Sequence, residues 1–485
     1  MAMLGIFRKR GLTEIINLFC LITGIFIIII LPVRKVIWYD ETVSILISKG
    51  ISPDTRLQFD NTDIVPSTAI SQFNTVPHVF EATVSDNANS FIYNLGLHWY
   101  TLLFGNKLAD YMWFSKLISI ATLVAFWMLC KLFFNNNIFT SVAIVLLSTD
   151  IDFIAMSHEI RAYAMGIFFI TMAAINFYKF MYTAGKPKWL LLTGLFSVAA
   201  ILAHFLSVYI IIVFLVILVW KKGRSLRTTK YILAMSIPVL LIAVYFLLTY
   251  PGLQTMSRQN QEIQQKAIAA GFSNLEVLMR AMKFSAINLK IVFPSFIDNN
   301  LVIIISFLVV IILYVAGVKL ATGKEQKRNL HLLFALSTTS SLFMALLCLK
   351  SHHYTALYYR YFSFCLPFCC LFVAYVLYVF FTNPNLNRLF SAGTACLFIV
   401  PSIILFGTWA RKNKPVVKYS HPMVTSRISR ESRKIEVPQW RDAFIINALL
   451  PDGFKLDYFR NPAAADFTIY NPDGPLRIPV IRNDD

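Results

Sequence analysis

Apolar residues in this chain come in runs too long and too unbroken for a water-soluble core. They lie near 14 to 33, 108 to 130, 137 to 149, 162 to 178, 189 to 203, 204 to 220, 231 to 250, 300 to 318, 330 to 349, 361 to 381 and 388 to 409, eleven in all, separated by polar joints. A helix of roughly 20 residues crosses the ~30 Å of bilayer hydrocarbon, and inside lipid only helices and closed barrels satisfy their own backbone. The pattern therefore predicts an all-α polytopic membrane protein of about 11 transmembrane helices. The transmembrane part covers residues 1–410 and carries two long polar loops, 35–107 and 251–299. Residues 411–485 form a separate C-terminal segment, in which 437–485 alternate a helical stretch after Trp440 with short strand-like pieces and Pro-Gly turns, the pattern of a small mixed α/β unit.

Lys and Arg in the short joints orient the spans. Arg8, Lys9 and Arg10, then Lys131, then Lys179, Lys186 and Lys188, then the stretches "KKGRSLRTTK" and "KLATGKEQKRN" fall on alternate joints, and such residues mark the cytoplasmic side. Both long loops then lie outside, and an odd number of spans sends the tail outside as well. The tail's own stretch 411–434, with eight basic residues and one acid, pulls the other way, but long segments translocate largely regardless of charge. The first run follows its basic residues as a signal peptide would, yet no small-residue cleavage site comes after it, so it reads as a retained anchor.

Composition agrees with the pattern and narrows the partners. With 57% hydrophobic and 14% charged residues and a mean hydropathy of +0.63, the chain is too apolar for a soluble domain, usually ~45–50% apolar. The net charge of +19 is spread over joints that orient spans instead of gathering on one face, so nucleic acid is excluded as a partner and anionic membrane lipids are expected. All seven cysteines lie in apolar runs and none in the outer loops, so neither a disulfide framework nor a zinc site is expected. No glycosylation sequon occurs, which points to a bacterial inner membrane with the outer face toward the periplasm.

Gly-rich phosphate loops and protease or hydrolase motifs are absent from the sequence, and candidate chemistry gathers at the outer mouths of the spans, where ionisable residues tend to be functional. "VIWYDETVSILISKG" (36–50) places Asp40 and Glu41 just after the first run. Two readings stand. Asp40 is either the N-cap of a short interfacial helix with Glu41 in its first turn, or one of the pair faces a cavity as a general base for a hydroxyl acceptor. A second cluster, "STDIDFIAMSHEIRAYAMGIFF" (148–169), brings Asp150, Asp152, His158, Glu159, Arg161 and Tyr163 to the same surface. Glu159 with Arg161 as a local charge pair, and Asp152 as a cap, are its plainer readings. Two acidic sites with an arginine fork suit a phosphorylated substrate better.

The order of Asp40-Glu41, "SHEIRAYA" and the late "YYRYFSFCLP" (358–367) resembles the GT-C superfamily of membrane glycosyltransferases, in particular the bacterial relatives of protein O-mannosyltransferases and of the aminoarabinose lipid A transferase. The resemblance covers about residues 14–410. It implies transfer of a hexosyl or pentosyl sugar from a polyprenyl-phosphate donor to a hydroxyl of a lipid, glycan or protein acceptor on the outer face. By matched position it implies Asp40 as base with Glu41 as its fallback and Asp152 as a second catalytic acid. It also implies Arg161, Tyr163, Arg360 and Tyr361 at the donor phosphate, with Asp86, Asp150, Glu159 and His204 as additional candidates. The family's His-Pro-Pro stretch is replaced here by "DNANSFIYNLGLHWYTLLFG" (86–105), and Lys116 is the nearest basic residue where an arginine is usual. His352 and His353 precede Arg360. Paired acids offer oxygen ligands of the kind Mg²⁺ or Mn²⁺ takes, so a divalent cation is the one candidate cofactor. The alternatives are an O-antigen-type ligase or polymerase, whose large outer loop falls late, and a lipid-linked sugar flippase or transporter, whose spans are interrupted mid-membrane.

Overall fold

A computed structural model describes residues 11–31, 39–51, 64–65, 74–105, 108–134, 136–223, 225–254, 300–351, 359–386 and 388–412, scattered positions from 257 to 283, and four short strands in the tail. Every one of the eleven apolar runs is helical there: α1 (Leu12–Ile30), α5 (Leu108–Phe133), α6 (Asn137–Ser148), α8 (Tyr163–Lys179), α9 (Pro187–Ala203), α10 (Val208–Lys222), α11 (Thr229–Leu248), α12 (Asn300–Leu320), α13 (Lys324–Ser351), α14 (Leu366–Thr382) and α15 (Arg388–Lys412). Among the described residues, seven helical stretches are long and apolar enough to cross a membrane unaided. The pair formed by α6 and the short α7 (Ile151–His158), bent by 58° at Thr149 and Asp150, is long and apolar enough only when taken together, as a broken span or a re-entrant loop. Three further short helices, α2 (Tyr39–Ser48), α3 (Val76–Ser85) and α4 (Phe91–Phe104), lie between α1 and α5.

The helices sort by what surrounds them. α8 and α14 are buried along most of their length and form the axis of the bundle, whereas α1, α11 and α12 turn most of their apolar side chains outward. That outward surface suits hydrocarbon, so the missing polar face of these helices has a physical reason. Close approaches use small residues. A Cβ on Gly194 of α9 would stand 2.4 Å from the ring of Pro238 in α11, so glycine lets these two helices touch.

The tail supplies strands β2 (Lys434–Glu436), β3 (Asp457–Phe459), β4 (Phe467–Ile469) and β5 (Val480–Arg482). They join β1 (Ile64–Val65) of the first long loop in one sheet, order β1-β3-β2-β4-β5. β1 pairs antiparallel with β3, Ile64 opposite Phe459, while β2 runs parallel to both β3 and β4, and β4 and β5 are antiparallel. Hence the tail lies on the same side of the membrane as the first long loop, despite its basic stretch. The helical stretch expected after Trp440 lies outside the described residues, as do His352 and His353.

Candidate active site

The acidic pair sits in the first turn of α2, where free backbone N–H groups favour negative charge. Asp40 is not an N-cap, since the helix already begins at Tyr39. Val43, Ile45, Leu46 and Ile47 are all buried. Ile45 packs with Tyr93, Leu97, Tyr111, Ile160 and Met165, so α2 is seated on protein. Because adjacent helix positions diverge by about 100°, this seating sends the two acids different ways.

Glu41 goes inward. It is 1% exposed, and its Oε1 accepts the backbone N–H of Ile160 at 2.6 Å. That bond ties α2 to the turn after α7, the turn that carries Arg161. Asp40 goes outward, with 47% of its side chain exposed. Its Oδ2 lies 3.7 Å from Arg161 Nη2 and 3.7 Å from Arg360 Nη1, the two guanidinium groups being 18% and 11% exposed. Arg161 also donates from Nη1 to the Asp40 carbonyl at 3.1 Å and to Ser44 Oγ at 3.4 Å. Burial opposes the charge on Arg161, but Tyr163 and Asp40 outweigh it and hold the guanidinium above its usual range.

Arg360 arrives from a 3₁₀ turn, Tyr359–Cys365, leading into α14. The turn lies against α8 because residue 166 is glycine: a Cβ there would stand 2.5 Å from Phe364 Cε1. Tyr209 of α10 donates its hydroxyl to the Tyr361 carbonyl, and Ser363 Oγ closes the turn onto the Arg360 carbonyl at 2.6 Å. Beneath the arginines lies an aromatic floor. The Arg161 guanidinium stands 5.8 Å from the Tyr163 ring, which faces His204 at 4.8 Å, with Phe364 5.2 Å and Tyr361 6.4 Å from the His204 ring. His204 is buried between α9 and α10, and its Nδ1 accepts the N–H of Leu206 at 3.3 Å.

The other sequence candidates make further contacts. Asp150, not Asp152, caps α7, accepting the Phe153 N–H at 2.9 Å. Asp152 is half-buried in the first turn of that helix, within reach of the charge on Glu159. The ion pair of Arg161 runs to Asp40, across 121 positions, where the plainer reading set a local partner. Asp86 follows α3 and donates its backbone N–H to Ala82 and Thr83. Lys116 donates to the Ile29 carbonyl at the end of α1, 3.2 Å away, so it caps a helix there. Ser44 and Tyr209 escaped the sequence reading. Ser44 is four residues after Asp40, hence on the same helical face, which is a usable signal; Tyr209 has none.

A divalent cation does not fit beside Asp40, because two guanidinium charges already stand 3.7 Å from its carboxylate. Among the described residues no group of three or more His, Cys, Asp or Glu side chains is placed to hold a metal ion.

The helical bundle thus carries an acid and two arginines at one end, and one stretch of it matches a known family. Residues 90–249 match the family described as dolichyl-phosphate-mannose-protein mannosyltransferase. The stretch runs from α4 to α11, so it contains Asp152, Arg161, Tyr163 and His204 and leaves out Asp40 and Arg360. Among solved structures the chain is similar to the archaeal oligosaccharyltransferase AglB from Archaeoglobus fulgidus, in complex with an inhibitory peptide and a dolichol-phosphate, at 12% identity and a TM-score of 0.45 over 93% of this chain. It spans 65% of the length of that protein. It is also similar to ArnT from Cupriavidus metallidurans bound to undecaprenyl phosphate, at 13% identity and a TM-score of 0.35 over 91% of this chain and 84% of that one. No curated protein sequence matches.

Proposed function

We propose that the chain transfers a sugar from a polyprenyl-phosphate donor to an acceptor hydroxyl, on the outer face of a bacterial inner membrane. The observation that carries the reading is the meeting of Asp40, Arg161 and Arg360, from three distant parts of the chain, around one accessible carboxylate oxygen. Asp40 takes the acceptor's proton as the hydroxyl oxygen bonds to the sugar's anomeric carbon. The bond from that carbon to the donor phosphate oxygen breaks, and the phosphate leaves with an added negative charge. Fixed arginines stabilise that charge most when it is fully developed.

In the donor-free protein the arginines rest on Asp40. At 3.7 Å these contacts are longer than hydrogen bonds, so a phosphate that accepts two N–H bonds from a planar fork displaces them readily. Donor binding thereby releases the carboxylate to act as base. Glu41, engaged with Ile160, has no such freedom. Tyr163 and Tyr361 line the phosphate site beneath the arginines, and Asp152 orients the acceptor from α7. The acceptor is a lipid, glycan or protein hydroxyl.

Binding of undecaprenyl phosphate to the purified protein tests the reading. Arg161→Ala and Arg360→Ala are each expected to weaken it by roughly tenfold or more, as loss of a charge-assisted fork implies. Lysine at either position keeps the charge but not the fork, so Arg161→Lys and Arg360→Lys lose most transfer. Unchanged affinity in both alanine variants, with the proteins folded, overturns it.

A further inference from the structure

At the end of the bundle opposite Asp40, cations are seated on aromatic faces. α8 runs 17 residues from Tyr163, beside the arginines, to Lys179, a distance of about 25 Å. There Lys179 Nζ and Lys188 Nζ both lie over the Trp189 indole, at 4.7 and 4.6 Å. The Arg328 guanidinium lies 4.0 Å over the Tyr182 ring, and Lys221 Nζ is 5.9 Å from the same ring. Two rings thus each gather two cations, drawn from α8, the start of α9, the end of α10 and the start of α13. Glu325, 3.1 Å from Arg328 and 71% exposed, is the carboxylate paired within this group.

The backbone here is built for the arrangement. α8 ends in a π-turn, Phe180–Ala184, followed by Gly185 in the left-handed region at φ 57°, and Tyr231 donates its hydroxyl to the Gly185 carbonyl at 2.8 Å. π-turns recur at functional sites. This one carries Tyr182 to the place where cations from α10 and α13 converge.

We propose that Lys179, Lys188, Lys221 and Arg328 form a binding site for the phosphate headgroup of an anionic glycerophospholipid in the adjoining leaflet. Two like charges drawn to one ring repel each other, and a ring face offers only partial negative charge. A phosphodiester supplies a full one, with oxygens that accept from lysine ammonium groups and from an arginine fork. Amphipathic rings such as Trp189, Tyr182 and Tyr231 sit at the headgroup level of a bilayer. Beside them Trp220, Ile232 and Leu233 face outward, apolar surface on which acyl chains lie and which a free phosphate cannot use. The site is independent of the sugar-transfer reading.

Thermal melting in detergent, with dioleoylphosphatidylglycerol, dioleoylphosphatidylcholine or inorganic phosphate added, tests this. Phosphatidylglycerol is expected to raise Tm by several degrees, with no rise from the zwitterionic lipid or from phosphate. In native mass spectrometry, Lys179→Gln/Lys188→Gln and Arg328→Gln are expected to weaken phosphatidylglycerol binding by roughly tenfold, about the effect of losing one or two interfacial charges. Lys319→Gln/Lys324→Gln, at the same end but outside the ring cluster, is expected to bind as the parent does. Equal weakening in that control reduces the site to diffuse charge, and an equal Tm rise with inorganic phosphate makes it an anion site without lipid preference; either outcome overturns the proposal.

Discussion

Asp40 and Glu41 are adjacent acids with opposite surroundings, so removing each charge separates chemistry from scaffold. Asp40 is 47% exposed but the arginines it faces are 18% and 11% exposed, so Asp40→Asn lies between a surface pair and a buried one and is expected to cost about 1–3 kcal/mol of stability. In the proposed role of base it carries more in the transition state. Loss of a general base costs ~10²–10⁴ in rate, or about 3–5 kcal/mol of barrier. Because the carboxylate also competes for the arginines, the asparagine variant should bind undecaprenyl phosphate at least as tightly as the parent. Glu41 behaves the other way. It is buried, and its 2.6 Å bond to the Ile160 N–H is a charge-assisted one, worth roughly 1.5–3 kcal/mol. Glu41→Gln keeps an acceptor and should cost about 1 kcal/mol while retaining much of the transfer. Glu41→Ala strands the N–H and should cost about 2–4 kcal/mol, loosening the Arg161 turn. The measurements are melting in detergent, undecaprenyl phosphate affinity, and mass spectrometry of envelope glycans in a complemented deletion strain. Near-parental glycans with Asp40→Asn, or loss of glycans with Glu41→Gln at unchanged melting, would refute the assignment.

Gly166→Ala pushes a methyl to within 2.5 Å of Phe364, an overpacking worth about 1–3 kcal/mol, and should weaken undecaprenyl phosphate binding by moving Arg360; Phe364→Leu in the same chain should restore it, and binding unmoved by Gly166→Ala would show that α8 does not seat the turn. Burial pushes Lys49, just past α2, down to about 8. Between there and its unfolded value of 10.5 the unfolded chain binds more protons, so stability rises with pH across that window. Lys49→Met should therefore stabilise the protein below pH 8, by up to ~3 kcal/mol at about 1.4 per unit, with the gain fading as pH approaches 10.5; a pH-independent difference in melting would count against it. A cysteine at Ser85 should react with an impermeant reagent from the side bearing Asp40 and one at Ser225 from the opposite side, and labelling of both from one side contradicts the topology.

The sequence by itself determined the bundle. Eleven apolar runs had no alternative in lipid to closing their own hydrogen bonds as helices, and each is helical, although among the described residues seven, or eight with the bent pair, are long and apolar enough to count as spans. The polar joints likewise marked the end of the bundle where acids and arginines gather. What tertiary structure alone decided is which of them meet. Periodicity could not tell Asp40 from Glu41, because the difference lies in what packs on the other face of α2: Ile45 sits in an apolar cluster and Glu41 on the Ile160 N–H. Nor could spacing along the chain show that Arg161 and Arg360, 199 positions apart, share one carboxylate oxygen. That depends on Gly166 admitting the Phe364 ring, a contact between distant segments that local pattern does not encode. The side of the tail was decided in the same way, by backbone pairing of Ile64 with Phe459, where the count of its charges pointed elsewhere.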